Sequence, residues 1–360
     1  MSFDRIVIMV ITVFSIIGGF DRICENRFKL GASFENGILT MGHLALSMIG
    51  IIVLSPVMAK YLEPVILPFY EFLGADPSIF AGTLLACDMG GAQLALDLAN
   101  SKPAAQLGGI ITASILGTTV SFTIPVAMNV LSDEDRKFAA KGILCGIVTI
   151  PIGIFIGGIV AGFPISMICK NSVPIILFSI FIDLGLWKTE QYLIKGFEVF
   201  GRFINALSTV GLVAAGVEMT TGYVIIPGLG SMEEAFVIVG EIAIVLSGAF
   251  PLIAILTKLL NKPIATVSKK LKINSNSVFG LIATLANSIA TFDMIKEMDA
   301  RGKIINMAFA VSGAFVFGDH LAFTAGFDSE MIPALIAGKL CAGIAAICVA
   351  AFISKESKSV

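Results

Sequence analysis

The chain has 360 residues, of which 56% are hydrophobic and 14% charged, and its formal net charge is −2. Apolar surface on this scale, at a mean hydropathy of +0.94, exceeds what one soluble core can hide, so lipid is the expected solvent for much of the chain. The near-neutral charge offers no basic field for nucleic acid, which is set aside as a partner.

In chain order, the first apolar run, residues 6–23, contains Phe20-Asp21-Arg22 near its end and has no small-residue cleavage site behind it. It is expected to be a retained span and not a signal peptide. A helix needs about 20 apolar residues to cross a hydrocarbon core about 30 Å thick. Runs of that kind follow at 38–59, 104–131, 138–162, 173–187 (short), 199–217, 235–260, 304–325 and 331–353, which makes nine spans with the first. No period-2 alternation supports a barrel, so the expected fold class is an all-α polytopic membrane protein in a single domain, residues 1–360.

Two further segments read differently. Residues 79–87 lead into Asp88-Met89-Gly90-Gly91 and then 92–99, and residues 278–286 lead into Asn287-Ser288 and then 289–295. Each is a pair of half-length apolar pieces with a polar break, the pattern of a re-entrant hairpin or broken helix whose ends can hold a ligand at mid-membrane depth. The plainer alternative is a kinked span.

Charge placement separates the two, because cytoplasmic loops collect Lys and Arg. The loop with Lys258, Lys262, Lys269, Lys270 and Lys272 is the richest and is fixed inside. With two hairpins, the loops carrying Arg22, Arg27 and Lys29, Arg136, Lys137 and Lys141, Lys188 and Lys195, and Arg301 and Lys303, together with the tail lysines Lys355 and Lys358, also fall inside. Residues 220–234, without Lys or Arg, fall outside. With two full crossings, the Arg22 loop, the Arg301 loop and the tail land on the wrong face. Hairpins, an external N-terminus and a cytoplasmic C-terminus are therefore expected.

The same layout repeats at an offset of about 198 residues: span, hairpin, span, span over 38–162 and again over 235–353. Gap-free pairs such as Gly82 with Gly280 and Ser114 with Ser312 are near chance for this composition, so the order of elements carries the argument. The two copies would be inverted, as in many secondary transporters.

A carboxylate near the bilayer centre costs at least about 2.5 kcal/mol on insertion scales, which makes intramembrane polar groups functional candidates. Asp88 lies at the first break, Asn287 at the second, and Asp319 with His320 two-thirds along the following span; these three places are expected to meet. Gly90 and Gly91 would open the backbone there to a ligand. The alternatives are structural: Asp319 and His320 as an ion pair between helices, Glu218, Asp183, Asp293 and Glu241 as span-end groups reaching the interface, and His43 as a packing residue. The six cysteines, Cys24, Cys87, Cys145, Cys169, Cys341 and Cys348, show no C-x-x-C spacing and read as small buried hydrophobes, with no metal or cofactor expected.

Several stretches in series resemble one family. They are Gly82-Thr-Leu-Leu-Ala-Cys-Asp-Met-Gly-Gly91, Ala283-Thr-Leu-Ala-Asn287, Met298-Asp-Ala-Arg-Gly-Lys303, Ala308-Phe-Ala-Val-Ser312 and Gly318-Asp-His-Leu321, with Gly146-Ile-Val-Thr-Ile-Pro-Ile-Gly153 and Ile226-Pro-Gly-Leu229. Together, and in order over essentially the whole chain, they closely resemble the EutH family, ethanolamine permeases of bacterial ethanolamine-utilisation operons. One departure is Ser288 after Asn287, where a second asparagine is common in that family. The resemblance implies uptake of ethanolamine through the bacterial inner membrane, without catalysis, with Asp88, Gly90, Gly91, Asn287, Asp319 and His320 as binding candidates.

A primary alkylamine has a pKa of about 10.4 in the Lys reference and ethanolamine is somewhat less basic, so it is largely a small cation at neutral pH. Such a ligand needs a carboxylate at its ammonium and a donor–acceptor pair at its hydroxyl. Asp88 suits the first, and Asn287 or Asp319 with His320 the second. The rival from composition alone is a cation/proton antiporter or channel. An enzyme finds no nucleophile–base or metal spacing. The Gly153, Gly157 and Gly158 stripe leaves room for a homodimer.

Overall fold

A computed structural model describes residues 2–260 and 264–354. Lys262, Lys355 and Lys358, which entered the charge pattern, lie outside the described residues. Among the described residues there are helices and no strand, and eight helices are long and apolar enough to cross a membrane. The molecule is an all-α polytopic membrane protein.

In chain order, α1 (Phe3–Ile23) is followed by α2 (Leu30–Leu44), which runs through a π-helical turn (Ala45–Ile49) into α3 (Gly50–Phe72). This 43-residue rod carries Pro56, Pro64 and Pro68. At about 1.5 Å per residue it is roughly twice the length a bilayer requires. Next come α4 (Ser78–Leu84), a 3₁₀ turn (Cys87–Met89) and α5 (Gly91–Leu98). Then α6 (Lys102–Gln106) and α7 (Ile124–Val130) form the ends of one helix whose middle is π-helical over Leu107–Gly117 and Thr119–Thr123. The helices α8 (Asp133–Ile147), α9 (Ile150–Val160), α10 (Ile165–Lys188), α11 (Glu190–Thr221), α12 (Met232–Leu260) and α13 (Ile264–Leu271) follow. The second hairpin consists of α14 (Ser275–Ala286) and α15 (Ser288–Met294), and the chain continues through α16 (Ala300–Gly313), α17 (Asp319–Phe327) and α18 (Ile332–Ile353).

The eighth of the nine expected spans is not one helix. Residues 304–325 break between α16 and α17, where Ala314 is extended and Phe315 has φ 62°. The freed amides are not lost to lipid. Phe315 N–H donates to Thr284 O at 3.0 Å and Phe317 N–H to Leu285 O at 2.9 Å, so the open end of α14 satisfies the break. An apolar run cannot reveal such an interruption, because the exchange of partners is between distant segments.

Both odd segments are hairpins. Their arms α4 and α5 are 7 and 8 residues long, about 10–12 Å each, under half a hydrocarbon core, and they pack on each other, as do α14 and α15. Glycine makes the first hairpin fit. A Cβ on Gly82 would overlap the Gly108 carbonyl, and one on Gly117 would overlap the Leu85 carbonyl, so α4 lies backbone to backbone on the π-helical stretch. The starts of α14 and α16 are capped by side chains: Asn274 Oδ1 accepts from Ser277 N–H at 2.9 Å, and Asp299 from Gly302 N–H at 3.3 Å.

Helix packing divides between α1, α2 and α12 on one side and α8, α9, α16 and α18 on the other. Gly153 and Gly157 of α9 abut Gly338 and Ala334 of α18, and Gly158 abuts Ile168, so this stripe serves packing inside the chain and not the dimer contact its spacing suggested. The cysteines also depart from expectation. Cys87 and Cys145 are buried, but Cys24, Cys169 and Cys348 are exposed on outward faces.

Candidate functional site

The tip of the first hairpin is held open by its sequence. Leu85 and Ala86 are extended, with ψ of 139° and 152°, and Gly90 takes φ 85°, a conformation that favours glycine. Ser121 steadies the tip by accepting from Ala86 N–H at 3.2 Å while its hydroxyl donates to Gly117 O at 2.8 Å. The tip of the second hairpin is Asn287, extended at φ −156°, whose Oδ1 accepts from Ile289 N–H at 2.8 Å and caps α15. Its arms are tied by Thr284 to Thr291 at 2.8 Å and by Thr291 to Gly280 O at 2.8 Å.

Both tips and the start of α17 face one cavity of about 620 Å³, which Asp88, Asn287, Asp319 and His320 all line. The three separated places thus come together. Gly90 and Gly91 do not line it. What comes close to Gly90 is the Ile51 side chain, and Gly91 N–H donates to Ala86 O at 3.0 Å, so these glycines shape the turn.

His320 is 1% exposed. Its Nε2 lies 3.3 Å from Thr118 Oγ1 and 3.9 Å from Asp88 Oδ1, while its Nδ1 has no hydrogen-bond partner among the described residues. The histidine therefore turns to Asp88 on the hairpin and not to its neighbour Asp319. Phe315 stands 5.1 Å from the imidazole and 5.4 Å, edge-on, from Phe122, and both rings line the cavity, giving a cation two aromatic faces. Positive φ at a residue as bulky as Phe315 is a strained conformation, and it falls at the site.

Several lining residues carried no signal strong enough to be singled out from sequence. Thr118 and Ser121 come from the π-helical region, and π turns often mark functional positions; Glu198, Arg202 and Asn205 come from α11. His43, read above as a packing residue, is exposed to the cavity. Glu241 and Asp293 are exposed, as groups reaching an interface should be. Asp183 keeps one carboxylate oxygen buried without a partner among the described residues, away from this cavity.

Lys339 is the largest omission. It sits in the apolar run of α18, is 1% exposed, and donates from Nζ to the Ser114 carbonyl. Its amine lies within electrostatic range of Asp88, Cys87 and His320. The rule that makes intramembrane carboxylates suspicious applies equally to a lysine. Cys87 also acquires a second aspect, since its Sγ, an Asp88 oxygen and a His320 nitrogen all lie within 4.8 Å of one another. Such a donor set has the composition of a site for a borderline transition metal.

Three carboxyl groups (Asp88, Asp319 and Glu198) and one guanidinium (Arg202) line the cavity. Its volume greatly exceeds that of a four-heavy-atom ligand, which compares with a few waters at about 30 Å³ each.

The family model for the ethanolamine utilisation protein EutH matches residues 3–353. The chain belongs to the EutH family. Similar proteins include the probable ethanolamine permease EutH of Listeria monocytogenes, 51% identical over 99% of this chain and 95% of the relative. Another, of the same name from Escherichia coli, is 43% identical over 97% and 95%. A third EutH relative, the uncharacterized protein YxeR of Bacillus subtilis, is 44% identical over 98% and 96%. No solved structure matches this EutH chain.

Proposed function

We propose that this chain carries protonated ethanolamine across the bacterial inner membrane into the cytoplasm by alternating access, with Asp88 receiving the ammonium. The observation that supports this most is the convergence of two hairpin tips and a helix start, bearing Asp88, Asn287, Asp319 and His320, on one cavity that three carboxyl groups line. Membership of a family whose named relatives are probable ethanolamine permeases supports the substrate. The Asn287 oxygen is committed to its cap, so its amide NH₂ is what it offers the ligand hydroxyl, with Asp319 as the acceptor.

An inverted repeat over residues 38–162 and 235–353 is part of this reading. Gly82 lies against residue 108, and Gly280 lies against residue 306, the same two positions at an offset of about 198. In both halves, therefore, a hairpin glycine rests on the helix that follows. With the basic loops cytoplasmic, the N-terminus is external, the C-terminus is cytoplasmic, and the cavity opens inward, because Asn129 lies near a helix end that adjoins one of those loops.

The experiment is uptake of labelled ethanolamine into proteoliposomes with unlabelled ethanolamine, choline, sodium and potassium as competitors. Saturable uptake displaced by ethanolamine and not by the alkali cations supports the reading. Displacement by sodium or potassium instead would favour the cation antiporter or channel.

A further inference from the structure

We propose that the transport path continues from the central cavity along α17 into a second cavity on the opposite face, and that Phe323 with Phe327 closes it in this conformation; the proposal rests on the transport reading above. The second cavity is also about 620 Å³. Two elements line both cavities, each with opposite parts. On α17, Asp319 and His320 face the first cavity while Gly326 and Phe327 face the second. On the helix Lys102–Val130, Thr118 to Asn129 border the first and Lys102 to Ile110 the second. The first hairpin repeats the pattern, with Asp88 and Met89 before α5 on one side and Ala92 and Leu96 of α5 on the other.

The wall between them is thin. From His320 to Gly326 an α-helix rises about 9 Å, and from Ile110 to Thr118 about 12 Å. It is also apolar. Cys87, Ala92, Ala113, Ala322 and Phe323 are buried in one cluster, against which Phe327 packs, and the two phenylalanine rings stack at 5.1 Å with planes 19° apart. An uncharged plug of this thickness stops ions because each would lose its hydration there. Three of its members are alanines, so rotation of Phe323 meets small neighbours. At the far mouth the restraints are light: Gln106 Nε2 donates to Asp328 Oδ2 at 2.7 Å, and the Lys102–Glu330 pair, at 3.9 Å, is exposed. Exposed pairs contribute little and separate readily.

The two mouths lie at opposite ends of the Lys102–Val130 helix, at most about 35 Å apart from Gln106 to Asn129, because its π-helical middle rises less per residue than an α-helix. That span matches a bilayer. A path entered at one mouth and left at the other therefore crosses the membrane beside Asp88 and His320.

The test uses full-length protein in which the exposed Cys24, Cys169 and Cys348 are serine, with single substitutions Gly326→Cys, Ser329→Cys and Asn205→Cys. A membrane-impermeant thiol reagent is applied to intact cells and to inside-out vesicles, modification is scored by mass, and uptake is measured alongside. The expected result is that Gly326→Cys and Ser329→Cys are modified from one face and Asn205→Cys from the other, each with loss of uptake. Modification of all three from the same face, or complete modification of Gly326→Cys and Ser329→Cys with uptake intact, would overturn the proposal. The modification pattern does not depend on uptake, so failure of the transport reading is seen separately, as a wild type that takes up no ethanolamine.

Discussion

Asp88 and His320, on elements far apart in the chain, meet with Oδ1 and Nε2 3.9 Å apart, while the other histidine nitrogen, Nδ1, has no hydrogen-bond partner among the described residues. Lys339 lies on the buried side of the same cluster. When Lys339 is protonated, a ligand cation reaching Asp88 would compete with it.

Lys339→Met removes that competitor. Charges interacting at an effective dielectric near 20 exchange a few kcal/mol at contact and less at a distance, so ethanolamine should bind roughly three- to tenfold more tightly. Titration calorimetry on the purified variant checks this, and weaker binding would mean that Lys339 holds the site together instead of opposing the ligand.

Lys303 and Asp135 form an ion pair between α16 and the start of α8, with side chains 15% and 10% exposed, and Ser132 also donates to Asp135 at 2.9 Å. Removing one member of a buried pair leaves the other uncompensated at about 3–5 kcal/mol, and residual exposure puts Asp135→Asn nearer 2–3 kcal/mol. Thermal unfolding in detergent should show a lowered midpoint. Adding Lys303→Met to Asp135→Asn should recover part of it.

Gly82→Ala forces a Cβ into the Gly108 carbonyl, whereas Gly42→Ala on exposed helix meets nothing within 4 Å. The first should fold poorly, while the second should be neutral or stabilise by up to about 1 kcal/mol through helix propensity. Monodispersity of the two purified variants discriminates between them. A well-behaved Gly82→Ala would contradict the backbone-to-backbone seating of the first hairpin.

Neutral ethanolamine permeates bilayers better than its cation, and the cationic fraction rises as pH falls below the amine pKa. Deleting the protein should therefore impair growth on scarce ethanolamine more at pH 6 than at pH 8. Equal impairment at both would count against a role centred on the cation.

Much of this was legible in the sequence because it depends on local signals. Apolar runs located the spans, and polar breaks at Asp88 and Asn287 located both hairpins. Other features depended on partners remote in the chain. The interruption after Gly313 is stabilised by carbonyls of α14, and within residues 304–325 only Gly313 and Gly318-Asp319-His320 hint at it. Glu198 and Arg202 read as ordinary charges near a helix start until α11 is placed against the cavity. Lys339 differs, since a lysine in an apolar run is visible in the sequence itself. The roles first given to Gly90 and Gly91 show a related limit: glycine signals that something comes close, and here that neighbour is Ile51 and the Ala86 carbonyl.

The most direct measurement is saturable uptake of labelled ethanolamine into proteoliposomes at pH 6, comparing wild type with Asp88→Asn and Asp319→Asn. A charge-assisted contact is worth about 1.5–3 kcal/mol, so Asp88→Asn should lower uptake at limiting substrate by about 10- to 100-fold, and Asp319→Asn by less. Wild-type uptake that survives Asp88→Asn unchanged would contradict the assignment of the ammonium to Asp88.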